Sequence, residues 1–77
     1  MSIHIIYFAS LRDSLGKSQD QVEFQPGLTV HALWQQLNGS QPNSGQILVA
    51  INQEYADFDS LVKDQDEVAF FPPVTGG

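Results

Sequence analysis

The run of residues best suited to chemistry is the last one, Pro72-Pro73-Val74-Thr75-Gly76-Gly77. At average glycine usage, two glycines in a row at a given place arise by chance on the order of 0.5% of the time. Glycine has no Cβ, so Gly76 and Gly77 can thread a channel too narrow for other residues. Pro72-Pro73 cannot continue a central strand and favours an extended polyproline path. The run from Pro72 to Gly77 can then project at most ~20 Å. The expected working group is the Gly77 carboxylate. A carboxylate is a poor acyl donor until a partner activates it, for example as an acyl-adenylate made with ATP. Its carbonyl then accepts sulfur or an amine.

Elsewhere the chemistry-bearing residues are scattered. His4 and His31 fall on different elements, and one proton-active ring without an orienting neighbour does not make a site. Both read as surface or partner-facing residues. Asp57, Asp59, Asp64, Asp66 and Glu67 crowd one stretch, but a calcium loop needs oxygen ligands at set spacing around a glycine. Solvated turns are expected there instead. Gly39 and Gly45 lie outside any strand-to-helix turn, so no phosphate loop is read. The sequence has no cysteine, which excludes disulfides, zinc thiolates and a thiol nucleophile. No catalytic site, metal or stably bound cofactor is expected in the chain itself. ATP would be consumed by an activating partner.

The elements that must carry the tail read as follows. Ile3 to Phe8 is a strand of β-branched and aromatic residues. Leu11 to Leu15 is a short helical turn ended by Gly16, within a polar segment from Ala9 to Asp20. Gln21 to Phe24 is a second strand with Val22 and Phe24 on one face. After the Pro26-Gly27 turn, Thr29 offers an N-cap. Val30, Leu33, Trp34 and Leu37 then follow at helical spacing, and Asn38-Gly39 ends the helix. Ser40 to Gly45 reads as a loop. Ile47 to Ile51 is a central strand, Asn52-Gln53 a turn, and Tyr55 to Phe58 an edge strand. Leu61 and Val62 are expected in the core. Asp64-Gln65-Asp66 is a polar turn, and Glu67 to Phe71 is the last strand. The order β-β-α-β-β-β predicts an α+β domain with a mixed sheet and one main helix on one face. Residues 1–71 form this domain, and 72–77 a flexible tail.

Alternation along the strands assigns two faces. Ile3, Ile5, Tyr7, Val22, Phe24, Val68 and Phe70 should meet the helix. Ile6, Phe8, Ala69 and Phe71 should form an apolar patch on the other side, with Tyr55 extending it and Arg12 beside it. Clustered aromatic anchors of this kind mark partner interfaces.

Composition limits the partners. The chain has 77 residues, with 3 basic and 9 acidic side chains and a net charge of −6. That length suits one small domain with a limited core. The charge argues against nucleic acid and anionic membranes and favours a basic protein surface. No apolar run approaches the ~20 residues of a membrane span. Met1-Ser2-Ile3-His4 does not open a signal peptide, so a cytoplasmic location is expected.

Phe70-Phe71-Pro72-Pro73-Val74-Thr75-Gly76-Gly77 closely resembles the C-terminus of the small subunits of molybdopterin synthase. Ile5-Ile6-Tyr7-Phe8-Ala9-Ser10-Leu11-Arg12, Val49-Ala50-Ile51-Asn52-Gln53 and Asp64-Gln65-Asp66-Glu67-Val68-Ala69 are similar too, so the resemblance runs the length of the chain. Gln65 departs from it, standing where that family usually has Gly. The resemblance implies the ubiquitin-like β-grasp fold and a nucleotide-dependent sulfur cycle. An adenylyltransferase like the ubiquitin-activating enzyme would adenylate Gly77, and a sulfur donor would convert it to a thiocarboxylate. Gly76, Gly77 and the run Pro72, Pro73, Val74 and Thr75 would enter the large subunit of a heterotetrameric synthase, with Phe8, Arg12, Tyr55 and Phe71 at the contact. Sulfur would pass to a cyclic pterin precursor of molybdopterin, with catalytic side chains supplied by the partners. Rival readings are a sulfur carrier for thiamine synthesis, a ubiquitin-like modifier joined to lysines, and a plain interaction domain with an inert tail.

Overall fold

The computed structural model describes residues 1–39 and 47–72. The expected loop over residues 40–45 and the tail residues Pro73, Val74, Thr75, Gly76 and Gly77 lie outside the described residues. Five strands and two helices follow in the order β1 (Ser2–Tyr7), α1 (Ala9–Leu15), β2 (Gln19–Glu23), α2 (Val30–Asn38), β3 (Leu48–Ile51), β4 (Glu54–Ala56) and β5 (Glu67–Phe71). They form one sheet in the order β2-β1-β5-β3-β4. The first and last strands are parallel neighbours at its centre, and the other pairings are antiparallel. With α2 across one face, this is an α+β β-grasp arrangement, as expected.

Helix α2 forms where the sequence places it. The Thr29 hydroxyl accepts from the Ala32 N–H at 3.1 Å and caps the first turn; such a cap is worth about 1 kcal/mol. The Gly39 N–H closes the far end on the Gln35 carbonyl at 2.8 Å. Val30, Leu33 and Trp34 are buried and Leu37 packs at the core edge. Opposite them lie Ile3, Ile5, Tyr7, Val22, Val49, Val68 and Phe70, with Leu28 and Val62 closing the ends. The Phe70 ring meets Trp34 edge-on at 4.9 Å and stacks on Tyr7 at 6.0 Å.

Several boundaries differ from the sequence reading. β2 starts at Gln19, not Gln21, because pairing with β1 overrides its low strand propensity. The register runs from Ile6↔Gln19 to Ser2↔Glu23. Phe24 lies beyond the strand, partly buried against the core. The turn at Leu11 to Leu15 belongs to a full helix from Ala9, ended by Gly16 at φ 73°. β3 begins at Leu48 rather than Ile47. β4 is Glu54–Ala56, not Tyr55 to Phe58. Phe58 leaves the sheet to pack near Phe70 at 5.9 Å and Trp34 at 6.4 Å. Leu61, expected in the core with Val62, is 61% exposed. It forms an isolated bridge to Thr29, while the next residue, Val62, takes the inward position.

Asp66 corrects the expectation of solvated acidic turns. It is buried. Its carboxylate accepts from Asn52 Nδ2 and from the Lys63 N–H, each at 2.8 Å. The Asn52 Oδ1 in turn accepts from the Glu67 N–H at 3.0 Å. The pair ties the β3–β4 turn to the start of β5, and its charge is compensated by hydrogen bonds instead of water.

Candidate functional site

The second face of the sheet carries the candidate site. Pleating sends alternate side chains to opposite sides. Because Ile5, Tyr7, Val49, Val68 and Phe70 are buried inward, Ile6, Leu48, Ala50, Ala69 and Phe71 must face outward. Register aligns them in rows. Ile6 is opposite Ala69, Ala69 opposite Ala50, and Ala50 opposite Tyr55, so one row crosses four strands. Leu48 is opposite Phe71 in the next row. The Tyr55 and Phe71 rings lie 5.9 Å apart.

Phe8 extends the same side. Its φ of −115° and ψ of 153° continue the alternation of β1 one residue further, and its N–H donates to the Phe70 carbonyl at 3.0 Å. It is 47% exposed, and Tyr55 is 80% exposed. The next residue, Ala9, turns the chain into α1 at φ 55°. Arg12 lies exposed in α1 and makes no ion pair with a carboxylate among the described residues.

The structure thus brings Ile6, Phe8, Tyr55, Ala69 and Phe71 onto one face, as the strand parity predicts. Pro72 follows Phe71 directly and is partly buried at the end of β5. The other tail residues, Pro73, Val74, Thr75, Gly76 and Gly77, lie outside the described residues. Leu48 and Ala50 were missed by the sequence reading. The signal was there: β3 is Leu48-Val49-Ala50-Ile51, and placing Val49 inward sends its neighbours outward.

The remaining candidates form no second centre. His4 Nε2 lies 2.7 Å from Gln19 Oε1 on an exposed stretch of the outer face. His31 is exposed on α2. Asp57 Oδ1 accepts from the Asp59 N–H at 3.0 Å and from the Ser60 hydroxyl at 3.2 Å, closing a turn. Among the described residues no three His, Asp or Glu side chains converge as a metal site, and no helix is long and apolar enough to cross a membrane.

Chemically, the face is a rigid apolar platform at the root of Phe71-Pro72. It can fix the direction in which the chain leaves the sheet.

The chain as a whole is similar to known proteins. The ThiS family model matches residues 5–77. The molybdopterin synthase sulfur carrier subunit of Escherichia coli (strain K12) is 39% identical over 83 residues, covering 97% of this chain and 99% of its own. The subunit of the same name from Haemophilus influenzae is 37% identical over 81 residues, with coverage of 97% and 99%. The crystal structure of SAMP1, the small archaeal modifier protein 1 of Haloferax volcanii, matches with a TM-score of 0.81 at 29% identity, covering both chains completely. The fold is therefore ubiquitin-like, and the chain belongs to the ThiS family, in company with molybdopterin synthase sulfur carrier subunits.

Proposed function

We propose that the chain is the sulfur carrier subunit of a molybdopterin synthase, loaded at the Gly77 carboxylate. The observation that supports it most is an apolar face at the root of Phe71-Pro72 in a chain 39% identical, nearly end to end, to a protein of that name. The family match also runs through the terminal glycines.

In this reading a carboxylate oxygen of Gly77 attacks the α-phosphorus of ATP on an adenylyltransferase resembling the ubiquitin-activating enzyme, and pyrophosphate leaves. A sulfur donor then attacks the acyl carbon, AMP leaves, and a thiocarboxylate remains. The large subunit of the synthase receives the tail, sulfur passes to a cyclic pterin precursor, and water restores the carboxylate. The chain contributes the acyl terminus and the platform that aims it. The partners contribute the catalytic side chains and consume the ATP. The cycle is placed in the cytoplasm, and the carrier itself holds no cofactor stably.

Intact-mass analysis tests the reading. After incubation with ATP, the activating enzyme and a sulfur source, the chain should gain about 16 Da as one oxygen is exchanged for sulfur. A chain lacking Gly77 should keep its fold and lose transfer to the precursor. Full activity of the truncated chain would refute the assignment of Gly77.

The likeness to SAMP1 favours one second reading, a ubiquitin-like modifier joined through Gly77 to target lysines. Covalent adducts of this chain on other proteins, resistant to thiol reagents, would mark that use.

A further inference from the structure

Among the described residues, four that carry a Cβ adopt a positive φ: Ala9 at 55°, Asn52 at 52°, Gln53 at 71° and Gln65 at 69°. Three of them have a local reason. Asn52 and Gln53 form the loop of the β3–β4 hairpin, closed by the pair Ile51↔Glu54, and the two-residue hairpin turn that suits twisted strands takes positive φ at both positions. Gln65 sits in the turn before β5, where its N–H donates to the Ser2 carbonyl at 3.0 Å. Ala9 lies in no hairpin, and a methyl group cannot make the local hydrogen bond that lets Asn or Asp settle in this conformation. At two other left-handed turns the chain uses glycine, Gly16 at 73° and Gly27 at 80°. The Ala9 side chain is exposed, so core packing does not offset its strain.

Ala9 is the corner between β1 and α1. Before it, the Phe8 N–H donates to the Phe70 carbonyl at 3.0 Å, which fixes the backbone from which Phe8 projects on the outer face. After it, Leu11 packs against the core with its N–H on the Phe8 carbonyl at 3.1 Å, and Arg12 follows on the exposed side of α1. The far end of α1 is held too. The Gly16 N–H closes on the Arg12 carbonyl at 3.0 Å, and the Lys17 ammonium lies 2.7 Å from Asp20 and donates to the Leu37 carbonyl at 3.4 Å. The dihedrals at Ala9 therefore set how Phe8 and Arg12 stand relative to each other. Backbone strain kept at a place the fold does not demand it points to function.

We propose that Ala9 is a positioning residue for docking, one that holds Phe8 and Arg12 in a single arrangement for the protein that receives the tail. The left-handed region open to a residue with a Cβ is small, so the corner has little play. Glycine would make the same turn with less strain, but its wider range of dihedrals would let Phe8 and α1 move against each other. That freedom would have to be lost on binding. The proposal rests on the carrier reading, with the large subunit of molybdopterin synthase as the partner.

Calorimetric titration of the full chain against that large subunit, paired with thermal melts, tests it. Ala9→Gly should hold or raise the melting temperature while weakening binding about fivefold. In sulfur transfer the loss should appear in KM for the carrier rather than in kcat. Ala9→Asn, which keeps a Cβ and adopts the left-handed conformation readily, should bind as the native chain does. Native affinity in Ala9→Gly overturns the proposal and leaves the carrier reading standing. Weakened binding in both variants, or in Ala9→Gly together with a lower melting temperature, makes the corner merely structural and also overturns it. Failure of the native chain itself to bind the large subunit overturns the carrier reading, and this proposal with it.

Discussion

Phe70 and Phe71 are consecutive residues of β5 that serve opposite faces of the sheet. Phe70 is fully buried with its ring 4.9 Å from Trp34, while Phe71 is only partly buried, 5.9 Å from Tyr55 on the other side. Their alanine variants should therefore separate stability from binding. Phe70→Ala should cost ~3–5 kcal/mol, most of what so small a core supplies. Phe71→Ala should leave the melting temperature nearly unchanged and weaken binding to the large subunit by ~1–3 kcal/mol. The converse pattern would show that the two faces are swapped.

Trp34 tests the other side of the same core. Its ring meets both Phe70 and Phe58, and its indole Nε1 is buried without a hydrogen-bond partner among the described residues. Trp34→Ala should cost ~3–5 kcal/mol. Trp34→Phe removes the unmet donor along with some volume, so the two changes oppose each other and the net cost should stay within about 1.5 kcal/mol. Denaturant titration of both variants measures this. Equal losses would mean that the indole N–H is satisfied in solution.

The two faces were legible because β1 and β5 alternate without interruption, so each inward residue dictates its outward neighbour. Helix α2 was legible for the same reason, with Thr29 and Gly39 marking its ends. β2 was not fully legible, because Gln19 and Asp20 carry no strand signal of their own and are held by pairing with Ile6 and Ile5. The end of β4 was misread because Phe58 looks like a strand residue, yet the space beside Trp34 draws it out of the sheet. The burial of Asp66 depends on Asn52, 14 positions away, and no local pattern encodes such a pairing. The platform was partly legible, since Leu48 and Ala50 join it only once β3 is known to pair with β5.

Gln65 illustrates a local conflict. It adopts φ 69°, with its N–H donating to the Ser2 carbonyl at 3.0 Å. A left-handed conformation costs a residue with a Cβ roughly 1–2 kcal/mol, and glycine escapes this while losing somewhat more chain entropy. The backbone hydrogen bond survives either residue. Gln65→Gly should therefore stabilise the domain by about 0.5–1 kcal/mol, raising the melting temperature by a few degrees. A lower melting temperature would show that the exposed Gln65 side chain contributes a contact worth more than the strain.

Tyr7 makes stability depend on alkaline pH. Its hydroxyl donates to Asp20 Oδ2 at 3.1 Å and accepts from Asn38 Nδ2 at 3.4 Å, linking β1, β2 and the end of α2. Burial pushes its pKa up from 10.0 to about 12, and the neighbouring Asp20 carboxylate adds to the rise against the opposing effect of the Asn38 hydrogen bond. The folded protein thus holds the phenol proton more tightly than the unfolded chain. Its contribution is fully present below pH 10 and is lost as pH climbs from 10 towards 12. A shift of this size corresponds to roughly 2–3 kcal/mol. The urea midpoint of the native chain should fall steeply between pH 10 and 12. Tyr7→Phe, which keeps the ring stacked on Phe70 but has no proton to lose, should start from a lower midpoint at neutral pH and show a shallower decline. Parallel curves for the two proteins would assign the alkaline transition to another group.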